Sequence, residues 1–169
     1  MIELINGRGQ LGEALKNEIY DLSWRLNSVY DTYIYHTWNV FDKTEDIQIE
    51  EYNKFKKFVD SYSNFRVIYI STSSENDTPY RRYKLLAEEY LMKNCENYLV
   101  VRLPILVGKG IIEKFKTGDA TPFGNMELIT IKKAAEKILE FVNDSELGKT
   151  INIEGEVISA ELVYNIARI

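Results

Sequence analysis

A short apolar run broken by spaced glycines constrains this chain more than any other stretch. Ile2-Glu3-Leu4-Ile5 leads into Asn6-Gly7-Arg8-Gly9-Gln10-Leu11-Gly12, and Glu13-Ala14-Leu15-Lys16-Asn17-Glu18-Ile19 follows with apolar residues at helical spacing. The order strand, glycine turn, helix is the opening of a β-α-β unit. Gly7, Gly9 and Gly12 fit the G-x-G-x-x-G spacing. In such a turn the first glycine permits a tight bend, the second lets the backbone approach a pyrophosphate, and the third lets helix and strand pack closely. The helix N-terminus adds unpaired N–H groups and the positive end of its dipole. The pattern therefore reads as a dinucleotide-binding turn, with a plain strand-to-helix turn as its alternative.

Strand and helix patterns keep alternating downstream. The segment 21–30 is short and mixed, with Trp24, Leu26 and Val29 as its apolar positions, and 31–38 alternates polar and apolar residues as a strand does. Residues 50–62 carry Tyr52, Phe55, Phe58 and Val59 at helical spacing, and 65–71 is a near-continuous buried-strand run. Thr78-Pro79 is a good helix N-cap followed by a proline suited to the first helical position, and that helix is expected to run to about residue 93. A second buried strand spans 98–103 and Pro104 ends it. Then come a turn at 107–110, a short helix at 111–116, an irregular loop at 118–125, an amphipathic helix over 129–142, a strand over 149–155 and a last helix over 160–169 capped by Ser159. This alternation predicts one α/β domain across residues 1–169, a Rossmann-like and mostly parallel sheet with helices on both faces.

Composition narrows the function classes. With 169 residues, 45% hydrophobic and 28% charged, the chain is large enough for a core without disulfides or metal. A net charge of −5 and a pI near 5.1 leave no basic excess to neutralise phosphates, which argues against a nucleic-acid or anionic-membrane binder. No apolar run approaches a membrane span, so the expected setting is cytoplasmic. Cys95 is the only cysteine and reads as a spare thiol, and His36 is the only histidine, which rules out a multi-histidine metal site.

Five stretches, in chain order, carry a resemblance. They are Asn6-Gly7-Arg8-Gly9-Gln10-Leu11-Gly12, Tyr69-Ile70-Ser71-Thr72, Tyr80-Arg81-Arg82-Tyr83-Lys84 with Ala87-Glu88, Val101-Arg102-Leu103-Pro104 with Val107-Gly108, and Ile151-Asn152-Ile153 with Ile158-Ser159. Together they resemble the short-chain dehydrogenase/reductase superfamily in its extended, nucleotide-sugar-modifying branch, and the Gly-Gln-Leu-Gly ending is similar to the turn of dTDP-4-dehydrorhamnose reductases. The chain also departs from that pattern. In the Gly-x-x-Gly-x-x-Gly frame common in extended members the first glycine falls on Asn6. Only one helix and a short connection fit between Gly12 and the strand at Asp31, where the family places further β-α-β structure. The sheet is therefore expected to be reduced in strand number, the loop from Thr72 to Tyr80 is short, and the C-terminal substrate region is reduced.

The resemblance implies hydride transfer at a carbonyl or alcohol of a nucleotide-linked sugar, with NADP or NAD as cofactor. Tyr80 and Lys84 lie four apart on a predicted helix and share one face. In the resemblance Tyr80 exchanges the proton, the Lys84 ammonium lowers its pKa, and Thr72, or Ser71 or Ser73 beside it, hydrogen-bonds the substrate oxygen. The cofactor contacts implied are Gly7, Arg8, Gly9, Gln10, Leu11 and Gly12, with His36 packing beside the cofactor. Arg8 favours NADP over NAD, because a cation inside the turn suits a 2′-phosphate or the pyrophosphate. With two strands of the family sheet missing, the first strand is expected at an edge, and a homo-oligomer is expected to cover it. The rival reading is a degenerate, non-catalytic nucleotide-binding or regulatory partner.

Overall fold

The computed structural model describes residues 1–21, 30–108, 110–144 and 147–169. The apolar positions Trp24, Leu26 and Val29 of the short mixed segment lie outside the described residues. Five strands form one parallel sheet in the order β1 (Ile2–Ile5), β2 (Thr32–Tyr35), β3 (Arg66–Thr72), β4 (Tyr98–Leu103) and β7 (Lys149–Asn152). A smaller sheet holds β5 (Ile105–Val107), β6 (Asn125–Thr130) and β8 (Glu156–Ser159), β5 parallel and β8 antiparallel to β6. The helices are α1 (Gly9–Asp21), α2 (Glu45–Tyr62), α3 (Pro79–Asn94), α4 (Ile111–Thr117), α5 (Ile131–Glu140) and α6 (Ala160–Ala167).

The strand pleat sorts the core onto two faces. Ile34, Ile68, Ile70, Leu99 and Val101 point to one face, where Leu11 and Leu15 of α1 and Ala135, Ile138 and Leu139 of α5 cover them. Tyr33, Tyr35, Val67, Tyr69 and Val100 point to the other, under Phe55 and Val59 of α2 and Ala87 and Leu91 of α3. The aromatic rings that made the sequence so rich in tyrosine pack mostly here, with Phe55 4.5 Å from Tyr69 and 4.9 Å from Tyr35 between centroids. Arg66, fully buried at the start of β3, donates to the carbonyls of Phe141 and Val142 at 2.7 and 2.8 Å and so caps the C-terminal end of α5.

This arrangement fixes the relative hand of the connections. From β1 to β2 and from β2 to β3 the chain steps across the sheet in the same direction, yet α1 and α2 lie on opposite faces. The two crossovers are therefore opposite in hand. Compact β-α-β crossovers are right-handed in about 98% of cases. If α2 and α3 obey that rule, a right-handed return from α1 leads to the far side of β1, where the described residues hold no strand.

The structure departs from the sequence expectation mainly at the C-terminal end. The helix expected from residue 129 begins at Ile131, because Ile129 is a buried strand residue of β6, and two short strands not expected from the sequence stand at 105–107, where Val107 was expected to open a turn, and at 156–159. The helix expected from residue 50 starts at Glu45, behind Thr44 as N-cap. The first glycine of the turn was expected to take the tight bend, but Asn6 stands at φ 57° and Gly9 at φ 77°, so those two residues make the left-handed corners.

Candidate active site

A parallel sheet places the C-terminal ends of β1, β2 and β3 side by side, and the expected site residues stand there. At the end of β1 the turn passes into the N-terminus of α1. A Cβ at Gly12 would lie 2.7 Å from the Gly7 carbonyl carbon and 2.8 Å from His36 Cε1, so the third glycine does bring helix, strand end and His36 into contact. Gly9 has open space where its side chain would be. Gly7 is buried beneath the Lys16 side chain, and Gln10 packs against Gly108 at the end of β5. Arg8 is exposed, whereas Leu11 turns into the core.

His36 follows β2. Burial, with Lys84 and Lys16 adding to it, pushes its imidazole down to about 4, so the ring is neutral at pH 7. Its Nε2 is buried and has no hydrogen-bond partner. The cost of leaving such an atom unpaired is about 1–3 kcal/mol.

At the end of β3 the Thr72 side chain stands beside the Tyr80 hydroxyl, and Thr72 Oγ1 accepts from the Ser74 N–H at 3.1 Å. The Thr78 side chain accepts from the Arg81 N–H and starts α3 so that Tyr80 falls in its first turn. Lys84, one turn on, is buried, and its Nζ donates to the Ile70 carbonyl at 2.6 Å. The same ammonium lies 5.2 Å from the Trp38 ring centroid, 5.1 Å from Tyr69 and 5.7 Å from Tyr80. Burial lowers its pKa to about 7, with Glu88 and Glu51 opposing.

Tyr80 and Lys84 are thus neighbours, but not with the effect expected of them. Burial pushes the Tyr80 hydroxyl up to about 12, with only the neighbouring Thr72 side chain acting the other way. The lysine directs one of its donors to a backbone carbonyl and stands 5.7 Å from the Tyr80 ring centroid. A second lysine, Lys43 from the loop before α2, stands 5.1 Å over the Tyr80 ring. Beneath the site Ser71 Oγ donates to Glu88 Oε1 at 2.5 Å, and Arg102 grips both Glu88 oxygens from β4 at 3.0 and 2.6 Å. This buried link ties β3, α3 and β4 together directly below Thr72.

The sequence reading passed over Lys16, Trp38 and Lys43. Lys16 was within its reach: Gly9, Gly12 and Lys16 are spaced to share one face of α1. Trp38 and Lys43 come to the site only through tertiary placement. A separate cavity of about 90 Å³ opens on the small sheet beside Val107, Leu128, Lys133 and Glu156, and none of the expected catalytic residues lines it.

No protein-family model and no curated protein sequence matches the chain. Solved structures do. The UDP-N-acetylglucosamine 4-epimerase of Bacillus cereus matches with a TM-score of 0.76 at 16% identity, covering 97% of this chain and 79% of that one. A dTDP-4-dehydrorhamnose reductase of Bacillus anthracis in complex with NADP matches with a TM-score of 0.71 at 12% identity, over 98% of this chain and 80% of that one. The fold is that of the nucleotide-sugar epimerases and reductases. A third structure of this kind, the dTDP-glucose 4,6-dehydratase of Bacillus anthracis in complex with NAD, gives a TM-score of 0.69 at 12% identity, over 98% and 79% of the two chains. Identities this low speak to fold alone. That fold agrees with the branch whose motifs the sequence resembles, and no helix among the described residues is long and apolar enough to cross a membrane.

Proposed function

We propose that the chain is a nicotinamide-dependent reductase acting on a carbonyl of a nucleotide-linked sugar. The observation that carries this reading is the placing of the Tyr80 hydroxyl beside Thr72 at the end of β3, with Lys84 one helical turn on and the glycine turn at the same end of the sheet. A phenol pushed up to about 12 is in its acid form at neutral pH, which suits proton donation to the alkoxide that forms as a carbonyl is reduced. Thr72 supplies a second hydroxyl for the same oxygen. The turn from Gly7 to Gly12 with Arg8 and Lys16 would hold the phosphate of the nicotinamide nucleotide, and the unpaired His36 Nε2 beside Gly12 offers it a hydrogen-bonding atom. When bound, the reduced nicotinamide supplies the hydride. The NADP- and NAD-bound structures of the same fold support that cofactor class, and the epimerase and reductases of sugar nucleotides support the substrate class.

Stopped-flow oxidation of a reduced nicotinamide nucleotide, with 4-keto sugar nucleotides as substrates, tests this. Tyr80→Phe keeps the ring and removes the proton, so turnover should fall by about 100-fold or more while nucleotide binding persists. Full activity in Tyr80→Phe removes the catalytic assignment. A second reading is a nucleotide-binding partner without turnover. It draws on the engagement of Lys84 by the Ile70 carbonyl, and predicts that the wild-type chain binds nucleotide and reduces nothing.

A further inference from the structure

The loop from β2 to α2 is held by a dense set of hydrogen bonds. Gln48, fully buried on α2, accepts from Trp38 Nε1 at 2.7 Å and donates to the carbonyls of Asn39 and Asp42 at 3.0 and 2.6 Å. Both donors and the acceptor of that one amide are thus committed to the segment 38–44. Asn39 Oδ1 accepts from the N–H groups of Phe41 and Asp42, each at 3.0 Å, and Asp42 Oδ1 accepts from the N–H and hydroxyl of Thr44 at 3.0 and 2.7 Å. Lys43 lies inside this clamp, yet its side chain takes no part in it. The residue is exposed, and its Nζ stands 5.1 Å over the Tyr80 ring, which Lys84 approaches from the buried side. A loop fixed in this way presents a cation beside the proposed proton donor with little ordering left for a ligand to impose.

The acids near Lys43 are committed elsewhere. Asp42 turns back onto Thr44, Glu45 takes Arg82 and the Tyr83 hydroxyl at 3.0 and 2.8 Å, and Glu51 takes Lys54 at 2.7 Å. What Lys43 meets instead is a second cation. The charge of Lys114 on α4 adds to burial in lowering the pKa of the Lys43 ammonium. On α4 itself Glu113 is taken by Lys116 at 3.2 Å, and among the described residues neither Lys43 nor Lys114 makes an ion pair. The two lysines come from different parts of the fold, one from the loop beside the large sheet and one from a helix whose Phe115 packs against α6. Like charges left together without an acid repel each other, and an anion bound between them removes that repulsion. We infer that Lys43 and Lys114 clamp the diphosphate of the substrate, a sugar linked to a nucleoside diphosphate, with the sugar lying between the clamp and the Tyr80 hydroxyl. Two cations on separate elements match the two charged phosphates of that link. Lys43 stands within one sugar's width of the Tyr80 hydroxyl, the separation between a reacting ring carbon and the phosphate on the anomeric carbon. The inference rests on the proposed reductase reading and names the residues that read its substrate, apart from the glycine turn proposed for the nicotinamide nucleotide.

Calorimetric titration of the whole chain with UDP, dTDP and GDP, and with their parent nucleosides, tests the clamp. The chain is first saturated with NADP⁺ or NAD⁺, whichever binds more tightly, so that the glycine turn is already occupied. The expected result is that at least one diphosphate binds about 10-fold or more tightly than its nucleoside, and that Lys43→Met and Lys114→Met each weaken it about 10-fold without changing the affinity for the nicotinamide nucleotide. Lys116→Met removes a cation of the same helix that is committed to Glu113, and should leave the diphosphate affinity within about twofold of wild type. The clamp is overturned if none of the diphosphates binds, if the affinity survives both lysine changes, or if Lys116→Met lowers it as far as Lys114→Met does, which would make it an effect of overall charge. In each of those cases the reductase proposal stands, because nicotinamide binding is measured on the same samples. If neither NADP⁺ nor NAD⁺ binds, the nicotinamide reading fails instead, and the diphosphate titrations still read the two lysines through the same variants.

Discussion

β3 and β1 belong to the same parallel sheet and end beside the same site, but they are held in different ways. β3 has seven residues, six of them buried, and hydrogen-bonds to β2 and β4. Around it the interior charges are all committed: Arg66 to the end of α5, Lys84 to Ile70, and Glu88 to both Ser71 and Arg102. β1 has four residues, none buried, and among the described residues it pairs with β2 alone. Its end is secured by close contacts of the glycine turn and by Thr37 Oγ1 donating to the Ile5 carbonyl at 3.0 Å. The proposed reacting groups are therefore set by a network that resists displacement, whereas the proposed phosphate turn depends on backbone conformation and on the absence of side chains. Damage to the first should appear as lost stability, and damage to the second as lost binding.

The largest expected effect tests the first half of that contrast. Glu88→Ala leaves the Arg102 guanidinium and the buried Ser71 hydroxyl without their shared acceptor. Breaking a buried pair from one side costs about 3–5 kcal/mol, read as a shift in the urea midpoint at unchanged slope. A loss below about 1 kcal/mol, the range of exposed ion pairs, would mean that the link is ornamental and that β3 is held by packing alone.

Lys84 gives an effect that is spread over a pH window and has a definite sign. Its pKa falls from 10.5 to about 7 on folding, so between those pH values the unfolded chain holds a proton that the native chain has lost. Stability then rises with pH across this window. The contribution is complete above the ordinary value and is lost as pH falls to about 7, with a limiting slope of about 1.4 kcal/mol per pH unit. Lys84→Met removes the titrating group from its place among Trp38, Tyr69 and Tyr80. The difference between wild type and variant should therefore change steadily from pH 7 to pH 10. A constant difference over that range would show that the ammonium stays charged in the native protein.

The same contrast explains what the sequence disclosed. The strands of the large sheet were readable because Val67, Ile68, Tyr69 and Ile70, like Leu99, Val100 and Val101, form unbroken apolar runs, as strands buried on both faces do. The small sheet was not. In β6 only three apolar residues, Met126, Leu128 and Ile129, sit within six, and Ile129 continues the helical spacing of Ala135, Ile138 and Leu139 backward. β8 has four residues, and its pairing with β6 depends on partners about 30 positions away. At the site, the four-residue spacing of Tyr80 and Lys84 placed both on one helix face without further help. What the lysine does there was hidden, because the Ile70 carbonyl and the Trp38 ring that receive it come from other elements. The turn was legible as a glycine pattern, but spacing alone did not reveal that an asparagine, Asn6, makes one of its two left-handed corners.

The smallest effects fall on that turn and separate backbone from ligand. At φ 77° Gly9 tolerates few side chains, and an alanine there should cost about 1–2 kcal/mol from the strain of the left-handed region. Nothing lies within 4 Å of its Cβ direction, so that strain is the whole penalty and no clash adds to it. Asparagine visits this conformation readily, as Asn6 does at φ 57° in the same turn, so Gly9→Asn should fold with a loss of only a few tenths of a kcal/mol. A phosphate that approaches the Gly9 backbone meets the new side chain in both variants. Binding of the reduced nicotinamide nucleotide should therefore fall in Gly9→Asn as far as in Gly9→Ala, although their stabilities differ. If affinity instead follows stability, with the asparagine variant binding like wild type, the ligand does not approach through Gly9, and the turn serves the fold rather than the phosphate.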